Sequence, residues 1–175
     1  MIECKGPNTG SGAYENGTTG SISLHFTECL AEFLGITVPC STTAESLSRT
    51  ITTAGTFHNV TITSVVRGVL ATLNNFTIRC QNIANAITIS GSVIAEVTSP
   101  TAACPVFTKS IALKFGVTGS PATQVHKTYT ESSKLIEYDL SATTAGGSAV
   151  TAALEATATN TFTEPKEVTI DCNTP

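Results

Sequence analysis

Tryptophan is absent from this 175-residue chain, methionine occurs once, and all aromatics together make up 6%. Sites that cleave sugars usually stack their substrate on aromatic rings, so the shortage argues against one here. Charge is scarce too, at 13% of residues, about half the usual share. The nine basic residues are scattered, the net charge is −4 and the pI about 5.3. Nucleic acid and anionic membrane surfaces are therefore not the expected partners. No apolar run approaches the roughly 20 residues of a membrane-spanning helix. The start, Met1-Ile2-Glu3-Cys4, has neither the basic nor the apolar segment of a secretion signal. The expectation is a mature chain or expressed fragment with Met1 as an added initiator.

Catalytic and metal motifs are missing as well. The chain has no C-x-x-C, no H-E-x-x-H, no G-x-S-x-G elbow and no Asp-rich calcium loop. Gly146-Gly147 lacks the following Lys of a phosphate-cradling loop and reads as a turn. No catalytic residue, metal site or cofactor is expected.

What is present is Thr, Ser, Ala and Val in abundance, and six cysteines: Cys4, Cys29, Cys40, Cys80, Cys104 and Cys172. Their even number and wide spacing read as disulfides, hence an oxidising, extracellular setting. Six free thiols in a cytosolic protein are the alternative. A chain of this length buries a core without cross-links, so disulfides point to resistance to harsh surroundings. Thr, β-branched and uncharged, suits solvent-facing strand positions.

Hydrophobic residues alternate with period two nearly throughout. Ile22, Leu24 and Phe26 share one face of a strand at 21–27, with His25 on the other. Ile87, Ile89, Val93, Ala95 and Val97 form one face of a long strand, with Gly91 as a bulge. Similar patterns mark Phe76–Cys80, Ile111–Phe115 and Val168–Cys172, and further strands are expected at 48–53, 57–66, 68–73 and 134–140. The Ala-rich stretch 148–159 reads as a strand, and Cys29–Leu34 as one helical turn. The expected fold is all-β: a disulfide-braced β-sandwich of roughly ten to twelve strands in a single domain, 1–175. Ile2-Glu3-Cys4, Ile78-Arg79-Cys80 and Ile170-Asp171-Cys172 repeat an Ile-x-Cys pattern that would fit two related halves, 1–83 and 84–175.

Spacing suggests how the cysteines pair. Cys29 and Cys40 bracket a compact apolar segment, Cys4 and Cys80 lie at the two ends of the first half, and Cys104 and Cys172 remain. The expected bridges are Cys4–Cys80, Cys29–Cys40 and Cys104–Cys172, each contributing roughly 2–4 kcal/mol.

The run Gly20-Ser21-Ile22-Ser23-Leu24-His25-Phe26-Thr27-Glu28-Cys29, followed by Cys40-Ser41 and Arg49-Thr50-Ile51-Thr52-Thr53, resembles a Cys-bracketed β domain of secreted actinobacterial proteins. The likeness covers about half the chain, with Cys4 and Cys80 flanking it. Glu28 stands where that pattern usually has Gly. The resemblance implies export and an extracellular β fold, and carries over no catalytic residue.

Few side chains suggest chemistry. His25, His58 and His126 have no second ligand at metal spacing, and read as solvated strand-face or strand-end residues. Glu137 and Asp139, two apart on an expected strand, with Glu131 nearby, could form an acid–base pair of a glycoside hydrolase or a weak cation site. The plainer reading makes them, with Lys134, one solvated face. Three glycosylation sequons begin at Asn16, Asn59 and Asn75, and Asn16, on a turn, is the best acceptor. Tyr14, in a Gly/Asn-rich loop, and Tyr129 and Tyr138 are candidate contacts for a glycan or surface-protein ligand in adhesion.

These features favour a secreted, non-enzymatic structural protein, a cell-surface layer or filament subunit that self-associates through strand edges. The alternative is an extracellular module that binds glycan or protein. A glycoside hydrolase rests on Glu131, Glu137 and Asp139 alone.

Overall fold

The structure, a computed structural model, describes residues 1–15, 18–43, 48–63, 66–99, 106–108, 110–131, 134–161 and 168–170. Among them are eighteen antiparallel strand segments and no helix, and ten of the segments run five residues or more. The chain is all-β and disulfide-braced, as its alternation predicts.

Three long strands form the spine: β6 (Ile51–Thr63), β7 (Val66–Cys80) and β8 (Ile87–Ser99). Separate strands were expected at 48–53 and 57–66, and at 68–73 and 76–80. Each pair instead runs on as one strand. Gly55 reads as a break in sequence, yet it is a close approach: a Cβ there would collide with the Thr72 carbonyl of β7. Between β7 and β8 the register shifts from Leu73↔Gly91 to Phe76↔Ile89. The extra residue of this bulge is on β7, opposite Gly91, whose φ of 106° needs a glycine.

The spine changes partners along its length. β3 (Thr19–Phe26) covers the first half of β6, while β13 (Thr128–Glu131), paired with β14 (Lys134–Glu137), touches its far end through Thr130↔Thr61. The start of β8 pairs with β15 (Leu140–Thr144), which carries β16 (Val150–Ala152) on its other side, and its end pairs with β10 (Ser110–Phe115), which carries β17 (Ala156–Thr161). The outermost strand beyond β3 is β2 (Thr9–Tyr14). The path β2-β3-β6-β7-β8-β10-β17 curls on itself, since Tyr14 of β2 and Ile111 of β10 line one cavity. β9 (Val106–Thr108) and β18 (Val168–Ile170) form a separate ladder, as do β11 (Val117–Thr118) and β12 (Thr123–Gln124).

Burial follows from this curl. Val69, Ala71, Val93 and Ala95 pack with Ile111, Leu113 and Phe115 on one face of the spine, while Leu70 and Ile94 pack with Val60, Ile62 and Tyr129 on the other. The centre of β7–β8 is thus covered on both sides in a sandwich-like arrangement. Leu70 and Ile94 are each 1% exposed, and burying such a side chain contributes about 1.5–3 kcal/mol. The stretch expected as one strand at 148–159 divides into β16 and β17. Buried Gln124 causes the break by gripping Leu154: its Oε1 accepts from the Leu154 amide at 3.0 Å, and its Nε2 donates to the Leu154 carbonyl at 2.9 Å.

The cysteine pairing differs from the expectation. The bridges are Cys4–Cys29 and Cys40–Cys80, not Cys4–Cys80 and Cys29–Cys40. Each joins residues directly opposed on neighbouring strands. Cys4 of β1 (Ile2–Cys4) faces Cys29 of β4 (Cys29–Phe33), and Cys40 of β5 (Ile36–Ser41) faces Cys80 of β7. β4 and β5 are themselves paired from Leu30↔Pro39 onward, so four cysteines run side by side across β1-β4-β5-β7. Pairing Cys29 with Cys40 would leave Cys4 and Cys80 three strands apart, roughly 14 Å, beyond a disulfide's reach. The helical turn expected at Cys29–Leu34 is strand β4. Cys104 and Cys172 lie outside the described residues.

Candidate functional site

The most distinctive surface is at β2. Its sequence, Thr-Gly-Ser-Gly-Ala-Tyr, carries no charge and no proline, and it pairs with β3 in unbroken register over all six residues. Thr9 through Ala13 are exposed, and among the described residues β3 is the only strand bonded to β2. Charged side chains, proline and bulges are the usual means of blocking an edge strand, and β2 has none of them.

Glycine allows β2 to sit close. A Cβ at Gly12 would lie 2.6 Å from the Ser21 carbonyl, and one at Gly20 would strike the Ala13 carbonyl and the Phe57 ring. The space left open seats Phe57, against which Tyr14 packs edge-on at 4.8 Å. Tyr14 therefore ends a strand rather than sitting in a loop. Its hydroxyl donates to Asn59 Oδ1 at 3.3 Å. Burial raises its pKa above 10.0, and the Asn59 hydrogen bond opposes that rise.

Tyr14 lines a cavity of about 50 Å³. Val69, Val97 and Ile111 supply apolar wall, and Asn59 and Arg67 supply polar lining. Asn59 Nδ2 is buried without a hydrogen-bond partner. Space of this size holds roughly four waters, or a small side chain, rather than a metabolite.

A second feature lies at the tip of the β4–β5 hairpin. Phe33 pairs with Ile36 across a two-residue turn, Leu34-Gly35, with φ of 51° and 77°. Both values are positive, as in a type I′ turn, where Asn-Gly is the favoured sequence. Leu is a poor choice for this backbone, and it is 87% exposed. Phe33 and Ile36 beside it are 49% and 65% exposed. Glu32 adjoins this apolar tip and is exposed, while Glu3 is paired with Lys5 at 3.2 Å.

The sequence candidates for chemistry do not converge. His25 is exposed on β3. His58 is inside β6, with its ring edge-on to Tyr129 and Nε2 3.4 Å from that hydroxyl. Tyr129 in turn stacks on Tyr138, so both tyrosines are occupied in packing. His126 reaches Glu96 at 3.4 Å. Glu137 ends β14, whereas Asp139 lies beyond it and pairs with Lys127 at 3.2 Å. Glu131 is opposite Lys134 in the β13–β14 register. Among the described residues no three His, Cys, Asp or Glu side chains could hold a metal together. Asn75 is exposed, but the Nδ2 that a glycan would need at Asn59 is buried; Asn16 lies outside the described residues.

Sequence reading missed the β2 edge and the Leu34 tip. The signal for the tip was present: Phe-Leu-Gly-Ile between two mutually alternating segments is a hairpin turn with an apolar crown. No protein-family model, curated protein or solved structure matches the chain.

Proposed function

We propose that this protein is an extracellular structural subunit, the building block of a cell-surface layer or filament, which self-associates through strand edges and performs no catalysis. The carrying observation is β2: five exposed, uncharged residues, Thr9 to Ala13, on a strand whose one bonded neighbour among the described residues is β3. Such an edge is a template for a strand from another chain. Two disulfides support an oxidising compartment. No helix among the described residues is long and apolar enough to cross a membrane.

The test is assembly. Sedimentation velocity and negative-stain microscopy across a concentration series should show sheets, filaments or a ladder of oligomers. The double variant Ser11→Lys/Ala13→Lys adds charge at two exposed positions of β2 and should remain monomeric with an unchanged Tm. A wild-type protein that stays monomeric at high concentration, or a double variant that assembles equally well, would overturn the proposal.

A further inference from the structure

The four bridged cysteines form a row. β1, β4, β5 and β7 are successive neighbours in the sheet, and the register sets Cys4 opposite Cys29 and Cys40 opposite Cys80. Between the two bridges, the β4–β5 ladder runs from Phe33↔Ile36 to Leu30↔Pro39, and one further step along both strands reaches Cys29 and Cys40. Their side chains share a face, because Ala31 and Val38, two residues in from each, are paired and pack in one cluster with all four cysteines. Opposed residues on neighbouring strands have Cβ atoms about 4.5–5.5 Å apart. Cys29 and Cys40 are thus neighbours without a bond between them, each bonded to the cysteine on its other side.

Access to the row is one-sided. β1 is the outer strand, bonded among the described residues to β4 alone, and Cys4 is half-buried. Cys29 and Cys40 are 0% exposed and Cys80 is 6% exposed. Thiol–disulfide exchange proceeds by attack of a thiolate on one sulfur of the bond while the other leaves. A thiolate arriving past β1 meets Cys4 Sγ first, with Cys29 Sγ behind it as the leaving sulfur. A Cys29 thiolate displaced in this way is cut off from water, where a charge is costly. Cys40 Sγ stands on the next strand, with Cys80 Sγ behind it.

We infer that the row is a disulfide relay: a small-molecule thiol attacking at Cys4 moves the cross-link inward to Cys29–Cys40 and liberates the Cys80 thiol at the far end. In the first step a bond forms between the incoming sulfur and Cys4 Sγ, and the Cys4–Cys29 bond breaks with its electron pair on Cys29 Sγ. In the second, Cys29 Sγ bonds to Cys40 Sγ, the Cys40–Cys80 bond breaks, and Cys80 leaves as a thiolate that takes up a proton. A second small thiol then attacks the mixed disulfide at Cys4, releasing Cys4 as a thiol and forming the disulfide of the reagent. Two external thiols are oxidised to one disulfide, and two protein bridges become one bridge and two thiols. The β4–β5 hairpin ends stapled across its own root, with its covalent ties to β1 and β7 cut. β1, three residues long, is then held by its ladder with β4. The thiol content of the surroundings thereby switches the hairpin between anchored and released states, whether the chain assembles or stays monomeric.

Cys4→Ala tests the inner step without any reductant, since it leaves Cys29 as a free thiol beside the Cys40–Cys80 bond. The folded variant, held in mildly alkaline buffer, quenched in acid and mapped without reduction, should contain both Cys40–Cys80 and Cys29–Cys40. The two pairings share Cys40 between cross-strand neighbours, so their populations should lie within about tenfold of each other. Cys80→Ala enters from the other side and should give Cys29–Cys40 with Cys4 free; it takes the place of Cys4→Ala if that variant does not fold. Cys40→Ala is the control: Cys80 then lies two strands from Cys29, roughly 10 Å, and no Cys29–Cys80 bridge should form. Wild-type protein treated with reduced glutathione, quenched in acid and alkylated should yield chains labelled at Cys4 and Cys80 with Cys29 and Cys40 bonded together. Cys4→Ala that keeps Cys40–Cys80 alone, or Cys40→Ala that shuffles equally well, would overturn the relay. So would wild-type chains that lose Cys4–Cys29 while keeping Cys40–Cys80, or in which glutathione opens neither bridge.

Discussion

Removing the Cys40–Cys80 bridge gives the most quantitative check on the architecture. The bridge closes a loop with a sequence separation of 40. The chain-entropy relation gives about 13 cal/mol/K for such a loop, or about 3.9 kcal/mol at room temperature. In Cys40→Ala/Cys80→Ala the lost sulfurs add a small cavity cost, because both residues lie in the core and are 0% and 6% exposed. The expected loss is therefore about 4–5 kcal/mol, a large part of the roughly 5–15 kcal/mol that holds a domain folded. For a domain of this size it corresponds to a fall in Tm of about 8–20 °C. Urea unfolding followed by circular dichroism, fitted for midpoint and slope, measures it. The single variant Cys40→Ala adds a qualitative arm: alkylation after denaturation should label Cys80 and leave Cys29 unmodified. A loss under about 1 kcal/mol would refute the loop argument, and label on Cys29 would refute the pairing.

Three further outcomes are expected. Non-reducing peptide mapping should return Cys4–Cys29 and Cys40–Cys80. It should also return Cys104 with Cys172, the two cysteines left once the other four are paired. Ile94→Ala should cost about 2–5 kcal/mol in denaturant unfolding, since its side chain is buried in the covered centre of the spine; a loss below 1 kcal/mol would contradict that burial. Burial raises the Tyr14 pKa above 10.0, so the folded state holds that proton longer than the unfolded one. Its contribution is level below pH 10 and falls as pH rises from there through the folded pKa. Tyr14→Phe should remove that part of the alkaline descent in a pH series of unfolding midpoints.

Strand identity was legible because β side chains alternate: Ile22-Leu24-Phe26 and Ile111-Leu113-Phe115 each stand on one face as read. Strand length was less legible. Gly55 has the same letter as a turn glycine, yet its reason is the Thr72 carbonyl on a strand that local sequence does not identify. The cysteines show the same limit. Cys29 and Cys40, near each other in sequence, do not pair: their partners were decided by strands β1 and β7 arriving on the outer sides of β4 and β5. Asn59 and Asn75 carry equivalent sequons, and only the tertiary setting of Asn59, under Tyr14, separates them. The Leu34 tip could have been read from Phe-Leu-Gly-Ile. The cavity could not, because its walls come from β2, β6, β7, β8 and β10.

The long β7 strand also has a mechanical consequence. It is flanked on both sides by antiparallel neighbours, with eight register pairs to β6 and nine to β8. The backbone hydrogen bonds of such ladders lie across the strand direction. Tension applied between the Arg67 end and the Cys80 end therefore loads those bonds in shear, where they share the force and yield together rather than unzipping singly. The covalent anchor at Cys80 passes the pull into the β4–β5 hairpin without relying on its short ladder. Each molecule is therefore strongest along β7, between its Arg67 end and its Cys80 end.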